Sequence, residues 1–329
     1  MSVERKRTTT NLELTVDWAP AYELLVSFLV YVNRAKHTLV EVGQTWVDDV
    51  RFRLPSDYTQ RIAHQAHTLK TRHDEQDLLA LLVKVCPAKG RDAQTWLDWL
   101  AELAPGAAYE ALTPLVPQSG PFLPRDFAAW RDRLVGLLRT WHTYYFSEVE
   151  PAILDGLRCD AERVSARVGS LPPQQLVEQV TNGMWVEPGP GTWQVVLVPQ
   201  YHMRPYNHDC SLNDGILLLY PADVVPTPED APPTALLRLT RGLSDESRLR
   251  ILRYVALGPR SLTEVARFAG LSQPTVHHHL AQLRTAGLLR VHCSLAGPVR
   301  YYSLRSHALD QLARQLGTYL EPANTQPED

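Results

Sequence analysis

The sequence predicts a mainly α chain in two parts: a large N-terminal helical domain with a small β-hairpin or sheet, and a smaller C-terminal α+β domain. Three observations lead there. Apolar residues recur at three-and-four spacing through the first 150 residues, turn to β-type runs over 193–225, and return to short capped helices after residue 233. A proline-rich acidic stretch, PADVVPTPEDAPPTA at 221–235, lies between the two parts. Charge is divided in the same way. Residues 233–320 hold twelve arginines, no lysine and four acids, a surplus of eight positive charges in a chain whose formal net charge is −3. The expected boundaries are 1–225 for the first domain, 226–233 for a linker, 234–320 for the second domain and 321–329 for a disordered tail.

In the first domain, helices are expected in AYELLVSFLVYVNRA (21–35), TLVEVGQTWVDDVRFRL (38–54), QDLLALLVKV (76–85), AQTWLDWLAEL (93–103) and DFAAWRDRLVGLLRTWHTYYFSEV (126–149). NLELTV (11–16) reads as a strand. WQVVLVPQ (193–200) and GILLLYPADVV (215–225) are apolar or β-branched runs bounded by Gly, Pro and Asn, which suits a hairpin or small sheet. All eight tryptophans fall in this domain. Two readings of them stand: core filling, or the lining of an apolar pocket for an unidentified small-molecule effector.

Composition excludes several classes. With 329 residues and 44% apolar content, the chain can bury two cores. No apolar run approaches the ~20 residues of a membrane span, and the basic start MSVERKRTTT has no apolar stretch behind it, so a cytoplasmic protein with no membrane partner is expected. Four dispersed cysteines argue against a disulfide framework or zinc ribbon. YHMRPYNHDC (201–210) offers His202, His208 and Cys210 as metal-ligand types, at a spacing that matches no established pattern. The reading adopted is ordinary histidines and no cofactor, with a metal site as the alternative. No G-x-S-x-G, phosphate-binding Gly loop or H-E-x-x-H occurs, so catalysis is not expected.

The second domain is written in caps. Leu236, Leu237 and Leu239 begin a short helix closed by Gly242. Ser244 then caps a helix with Asp245 and Glu246 in its first turn, and Leu249, Ile251, Leu252, Val255 and Leu257 as the apolar face. Gly258-Pro259 ends it. Ser261 and Glu264 form a capping box. The helix they open carries Leu262, Val265, Ala266 and Phe268 and stops at Gly270. Ser272 caps the next, with Pro274 in the first turn. Two short helices around a Gly turn make a helix-turn-helix.

In the second of these helices Val276, Leu280 and Leu283 face the core. The run His277–His279 spreads at ~100° per residue and cannot converge on one ion. His279 leans to the core edge. Ser272, Gln273, Thr275, His277, His278 and Gln282 form a polar face suited to base edges in a major groove. LLRVHC (288–293) and RYYSL (300–304) then read as a β-hairpin flanked by Arg290 and Arg300, able to press on phosphate. The last helix, 306–320, carries Leu309, Leu312, Leu316 and Leu320, a stripe that either packs within the monomer or forms a dimer seam.

The order of elements and the phrases LSDESRLRILRYV, LSQPTVHHHLAQLRTAGLL and RYYSL resemble the ArsR-type winged-helix transcriptional regulators over about residues 234–320. The resemblance implies a homodimer on double-stranded DNA that binds a pseudo-palindromic operator and represses transcription. It places the recognition helix on Gln273–Gln282 and the wing on 288–304. The CxC pair of that family's arsenic and cadmium sensors is absent from SLTEVARFAG. Ser306 and Ala308 stand where its zinc sensors carry Asp and His, so no family-type metal site is expected. Two alternatives remain: a winged helix that binds protein, or a metal-responsive regulator.

Overall fold

The computed structural model describes residues 11–62, 73–116, 122–187, 191–228, 231–294 and 300–321. The expected tail, apart from Glu321, lies outside them, as does the tip of the 288–304 hairpin. In chain order the described elements begin with β1 (Asn11–Val16), α1 (Pro20–Val32), α2 (Gly43–Arg53), α3 (His73–Val85), α4 (Ala93–Glu102) and α5 (Pro105–Leu112). Then come α6 (Phe127–Tyr144), α7 (Pro151–Ser165), α8 (Pro173–Val180), β2 (Met184–Glu187), β3 (Thr192–Gln200), β4 (His208–Leu212) and β5 (Gly215–Pro221). The series closes with α9 (Thr234–Leu243), α10 (Glu246–Val255), β6 (Arg260–Ser261), α11 (Leu262–Ala269), α12 (Gln273–Thr285), β7 (Leu289–Ser294), β8 (Tyr301–Leu304) and α13 (His307–Leu320). The described residues are mainly helical with two small sheets, in keeping with the expected mainly α class.

It divides into two compact units, at boundaries other than those read from the sequence. One comprises 13–168 and 192–225. The other joins the chain start through Leu12 and the segment 169–191 to the segment from 226 onward. The proline-rich stretch marks one crossing between units. The segment 169–191 leaves the first unit because its strand β2 finds its partner in β7, more than a hundred residues away.

In the larger unit the sheet order is β1-β3-β5-β4. The hairpin is β4–β5, with His208 opposite Leu219 and Cys210 opposite Leu217. The two strands foreseen from sequence, β3 and β5, lie side by side and parallel. Both are apolar on both faces, as parallel strands covered on each side must be. Helix α1 is buried from Ala21 through Val32, which its all-round apolar sequence requires. Trp96 and Trp141 are fully buried, and their indole N–H groups donate to the Leu82 carbonyl (3.3 Å) and Ser27 Oγ (3.1 Å). These tryptophans fill the core.

Two carboxylates in this unit are paired. Glu23, fully buried on α1, accepts from the backbone N–H groups of Tyr201 and His202, each at 3.0 Å, and pairs with His202 Nδ1. His202 Nε2 meets the Tyr145 hydroxyl. One metal candidate is thus a core histidine with both ring nitrogens engaged. Arg91 clamps Asp17 with both terminal nitrogens and also donates to the carbonyls of Val83 (3.2 Å) and Trp18 (3.3 Å). Burial pushes the Asp17 carboxyl up, but Arg91 and the Tyr22 hydroxyl outweigh it and hold the group below its usual range. A depressed carboxylate contributes stability above its unfolded pKa of ~3.9, and that contribution is lost as pH falls through the lower folded value. Acid unfolding of Asp17→Asn, followed by circular dichroism, should therefore show a lower plateau stability and a shallower loss below about pH 4.

The smaller unit is built on a core of Leu239, Ile251, Leu252, Val255, Val265, Val276, Leu280, Leu283, Leu288, Leu289 and Ala308. Its sheet order is β2-β7-β8-β6, with β7–β8 the antiparallel hairpin read from sequence and β2 added parallel on the outer edge of β7. Two expectations for α10 change. Asp245 is its N-cap, accepting from Arg248 N–H at 2.9 Å, one residue after the Ser244 expected. Leu249 and Leu257 are exposed, and Arg248 takes the inner position. Arg248, Leu252 and Val255 keep three-and-four spacing, and Leu249 is turned ~100° away from that line. Phe268 is exposed and stacks on Tyr254 with ring centroids 4.1 Å apart.

Candidate nucleic-acid interface

Local rules place the candidate face. Ser261 and Glu264 make the reciprocal capping box at the start of α11. Gly270 ends that helix in the left-handed region (φ +67°), and Ser272 caps α12 by accepting from Thr275 N–H. At the far end Gly287 (φ +73°) donates to the Arg284 carbonyl and Leu288 N–H to the Leu283 carbonyl, the paired bonds of a Schellman stop. Helix α12 is therefore fixed at both ends and anchored through buried Val276, Leu280 and Leu283. A side chain at Gly287 would run into Asn182, so this turn needs glycine for space as well as for φ.

Ser272, Gln273, Thr275, His277 and His278 are exposed on α12, as the spacing predicted. Ser272 and Thr275 join hydroxyls at 2.8 Å. His279 is half-buried, with Nδ1 3.9 Å from Asp245. The three histidines do not gather around a point.

Gln282 sits behind this face, half-buried. Arg248 donates from Nε to the Gly242 carbonyl (2.8 Å), from Nη2 to the Arg241 carbonyl (2.8 Å), and from Nη1 to Gln282 Oε1. A guanidinium only donates, so the Gln282 amide must turn its oxygen to Arg248 and its NH₂ to His278 Nε2, 2.9 Å away. His278 Nε2 then accepts, and in the neutral ring the proton sits on Nδ1. The chain Arg248–Gln282–His278 thus sets which ring nitrogen can donate outward. Sequence reasoning treated Gln282 as a direct contact, because nothing near it in sequence reveals Arg248 as its partner.

The hairpin arginines differ. Arg290 is held by Glu178 of α8 through Nε (3.0 Å) and Nη2 (2.9 Å), and its guanidinium lies 4.3 Å from the Trp185 ring centre. It is an internal clamp in this structure. Arg300 is half-buried where β8 begins. Arg305, unremarked in the sequence, is buried and reaches Glu178, Asn182 and the Gly287 carbonyl. Exposed Arg241, Arg250, Arg253 and Arg267 leave a positive surface on α9 to α11. On α13, Ala308 is buried and Leu312 packs on the core, whereas Leu309, Leu316 and Leu320 face solvent. The stripe is split, with part docked and part exposed.

A family described as a helix-turn-helix domain matches residues 243–292, from the end of α9 into β7. Over 55 residues the chain is 38% identical to a "Probable mercury resistance operon repressor" of Streptomyces lividans; the match spans 17% of this chain and 44% of that protein's length. Among solved structures, it is similar to a fragment of a possible transcriptional regulatory protein from Mycobacterium bovis (24% identity, 26% of this chain and 89% of that one, TM-score 0.22). It is also similar to NolR from Sinorhizobium fredii (22% identity, 27% and 87%, TM-score 0.22). The solution structure of the Mycobacterium bovis fragment is described as a homodimeric winged helix-turn-helix DNA-binding domain and a possible ArsR-family regulator (22% identity, 29% and 88%, TM-score 0.22). The smaller unit carries a helix-turn-helix domain of the kind found in transcriptional regulators, and no helix among the described residues is long and apolar enough to cross a membrane.

Proposed function

We propose that the protein is a sequence-specific DNA-binding transcriptional regulator, a repressor, that binds a pseudo-palindromic operator as a homodimer and is modulated through its larger unit. The observation that carries this reading is the exposed polar face of a helix capped at both ends, Gln273, Thr275, His277 and His278, within a helix-turn-helix domain. Glutamine, threonine and a histidine with a defined donor suit base-edge contacts. The exposed arginines on α9 to α11 suit phosphate. The repressor relative supports the sign of regulation. The solvent-facing leucines of α13 support a second copy as partner.

The test is selection of duplexes from a random library by the full chain at physiological salt. Enrichment of two half-sites centred about one helical turn, ~34–36 Å, apart is the expected result. Failure to enrich any sequence above non-specific binding refutes the reading. Gln273→Ala and His278→Ala should each weaken the selected site by ~1–3 kcal/mol and relax preference at one base pair. Gln282→Leu should relax preference at the base read by His278 while leaving binding to random duplex unchanged. Arg300→Ala should weaken all duplexes alike and reduce the salt slope by about one. Equal losses on random and selected duplexes for the helix variants would contradict these roles.

A further inference from the structure

Outside the helix-turn-helix, one cluster joins three metal-ligand types in the larger unit. His208 and Cys210 lie two apart on β4, so both point to the same face of the sheet, and both are buried. That face packs against α3, which presents Asp77. One donor atom from each residue lies within 4.8 Å of the other two. Asp77 Oδ1 sits 3.2 Å from His208 Nε2, and both atoms are buried. A carboxylate, an imidazole and a thiol are thus aimed at one point. The Asp77 side chain is 25% exposed and His208 10%, so the cluster opens to solvent at the aspartate.

We propose that Asp77, His208 and Cys210 form a three-ligand site for a zinc-type divalent transition metal. Tetrahedral bonds of ~2.0–2.3 Å to oxygen, nitrogen and sulfur set donors ~3.3–3.8 Å apart, a spacing this cluster reaches with sub-ångström to ångström shifts. The mixed sulfur, nitrogen and oxygen set suits zinc or its cobalt and nickel analogues and disfavours calcium or magnesium, which take oxygen. Among the described residues no fourth ligand joins the three, so the fourth position belongs to water or another small ligand. His202, read beside His208 and Cys210 in the sequence, is excluded because Glu23 and Tyr145 hold its ring.

The test uses the full chain, stripped of metal with a chelator and titrated with Co(II) alone, and requires no DNA. One equivalent should produce a thiolate-to-cobalt charge-transfer band in the near ultraviolet and visible bands of four-coordinate intensity, both displaced by Zn(II). Cys210→Ser should abolish the charge-transfer band. Cys86→Ser, Cys159→Ser and Cys293→Ser should each retain it. Asp77→Asn, at the solvent edge, is a second variant that spares the buried strand, and it should weaken Co(II) binding by ~10-fold or more. Absence of the band, its loss with one of the other cysteines, or unchanged affinity in folded Asp77→Asn overturns the proposal.

Discussion

Replacing Leu316 and Leu320 together by glutamate is expected to convert the protein to monomers and to lower affinity for the selected operator by ~10²–10⁴-fold, the range that linking two binding modules supplies. The argument starts from exposure. Leu309, Leu316 and Leu320 are 47%, 40% and 67% exposed, with Tyr319 beside them at 39%, whereas Ala308 on the same helix is fully buried. The helix therefore satisfies its own domain through Ala308 and Leu312 and leaves a second apolar strip in water. Burying a leucine side chain contributes ~1.5–3 kcal/mol, and a two-fold seam counts each residue twice. Glutamates at both positions would bring like charges together across such a seam and disfavour closure. Each protomer would then hold its half-site alone. Sedimentation equilibrium and gel retardation measure the two effects. A double variant that remains dimeric, or a monomeric one that keeps full operator affinity, would refute the role assigned to α13.

Glu178→Ala should destabilise the smaller unit by ~3–5 kcal/mol, the loss typical of removing one partner from a buried charge pair. Glu178 is almost fully buried and meets two guanidiniums, Arg290 by two hydrogen bonds and Arg305 at 3.9 Å. Burial pulls the Arg305 guanidinium below its ordinary value while Glu178 opposes that shift, so removing the carboxylate leaves buried positive charge uncompensated. A loss of this size is a large part of a domain's ~5–15 kcal/mol. Denaturant unfolding followed by tryptophan fluorescence reads it, because Trp185 lies against Arg290. Glu178→Gln keeps an acceptor and should lose less. A Glu178→Ala variant within ~0.5 kcal/mol of the parent would show that the clamp is a surface pair of little weight.

The same cluster explains why part of the molecule was legible in the sequence and part was not. The capping box at Ser261, the left-handed stop at Gly270, the cap at Ser272 and the Schellman turn at Gly287 are set by residues a few positions apart. The buried line Val276, Leu280, Leu283 follows from the helical period, and so does the exposure of Gln273, His277 and His278. Helices α5, α7 and α8 were missed: each opens on Pro in its first turn, which reads as a loop breaker, although Ile153, Leu157, Ala161 and Val164 on α7 recur at helical spacing. Strand β2 is only four residues, MWVE, and becomes a strand through pairing with Met184 opposite Val291.

By itself, then, the sequence determined the helix-turn-helix, its caps, its inner and outer faces and the hairpin after it, because each is set by residues within about fifteen positions of one another. Tertiary structure alone decided four things. It assigned 169–191 to the smaller unit, turned Arg290 inward to Glu178, set Gln282 behind His278, and brought Asp77 to His208 and Cys210 in place of His202. Each of these depends on partners between thirty-four and more than a hundred residues apart, and no local propensity or period records such a pairing.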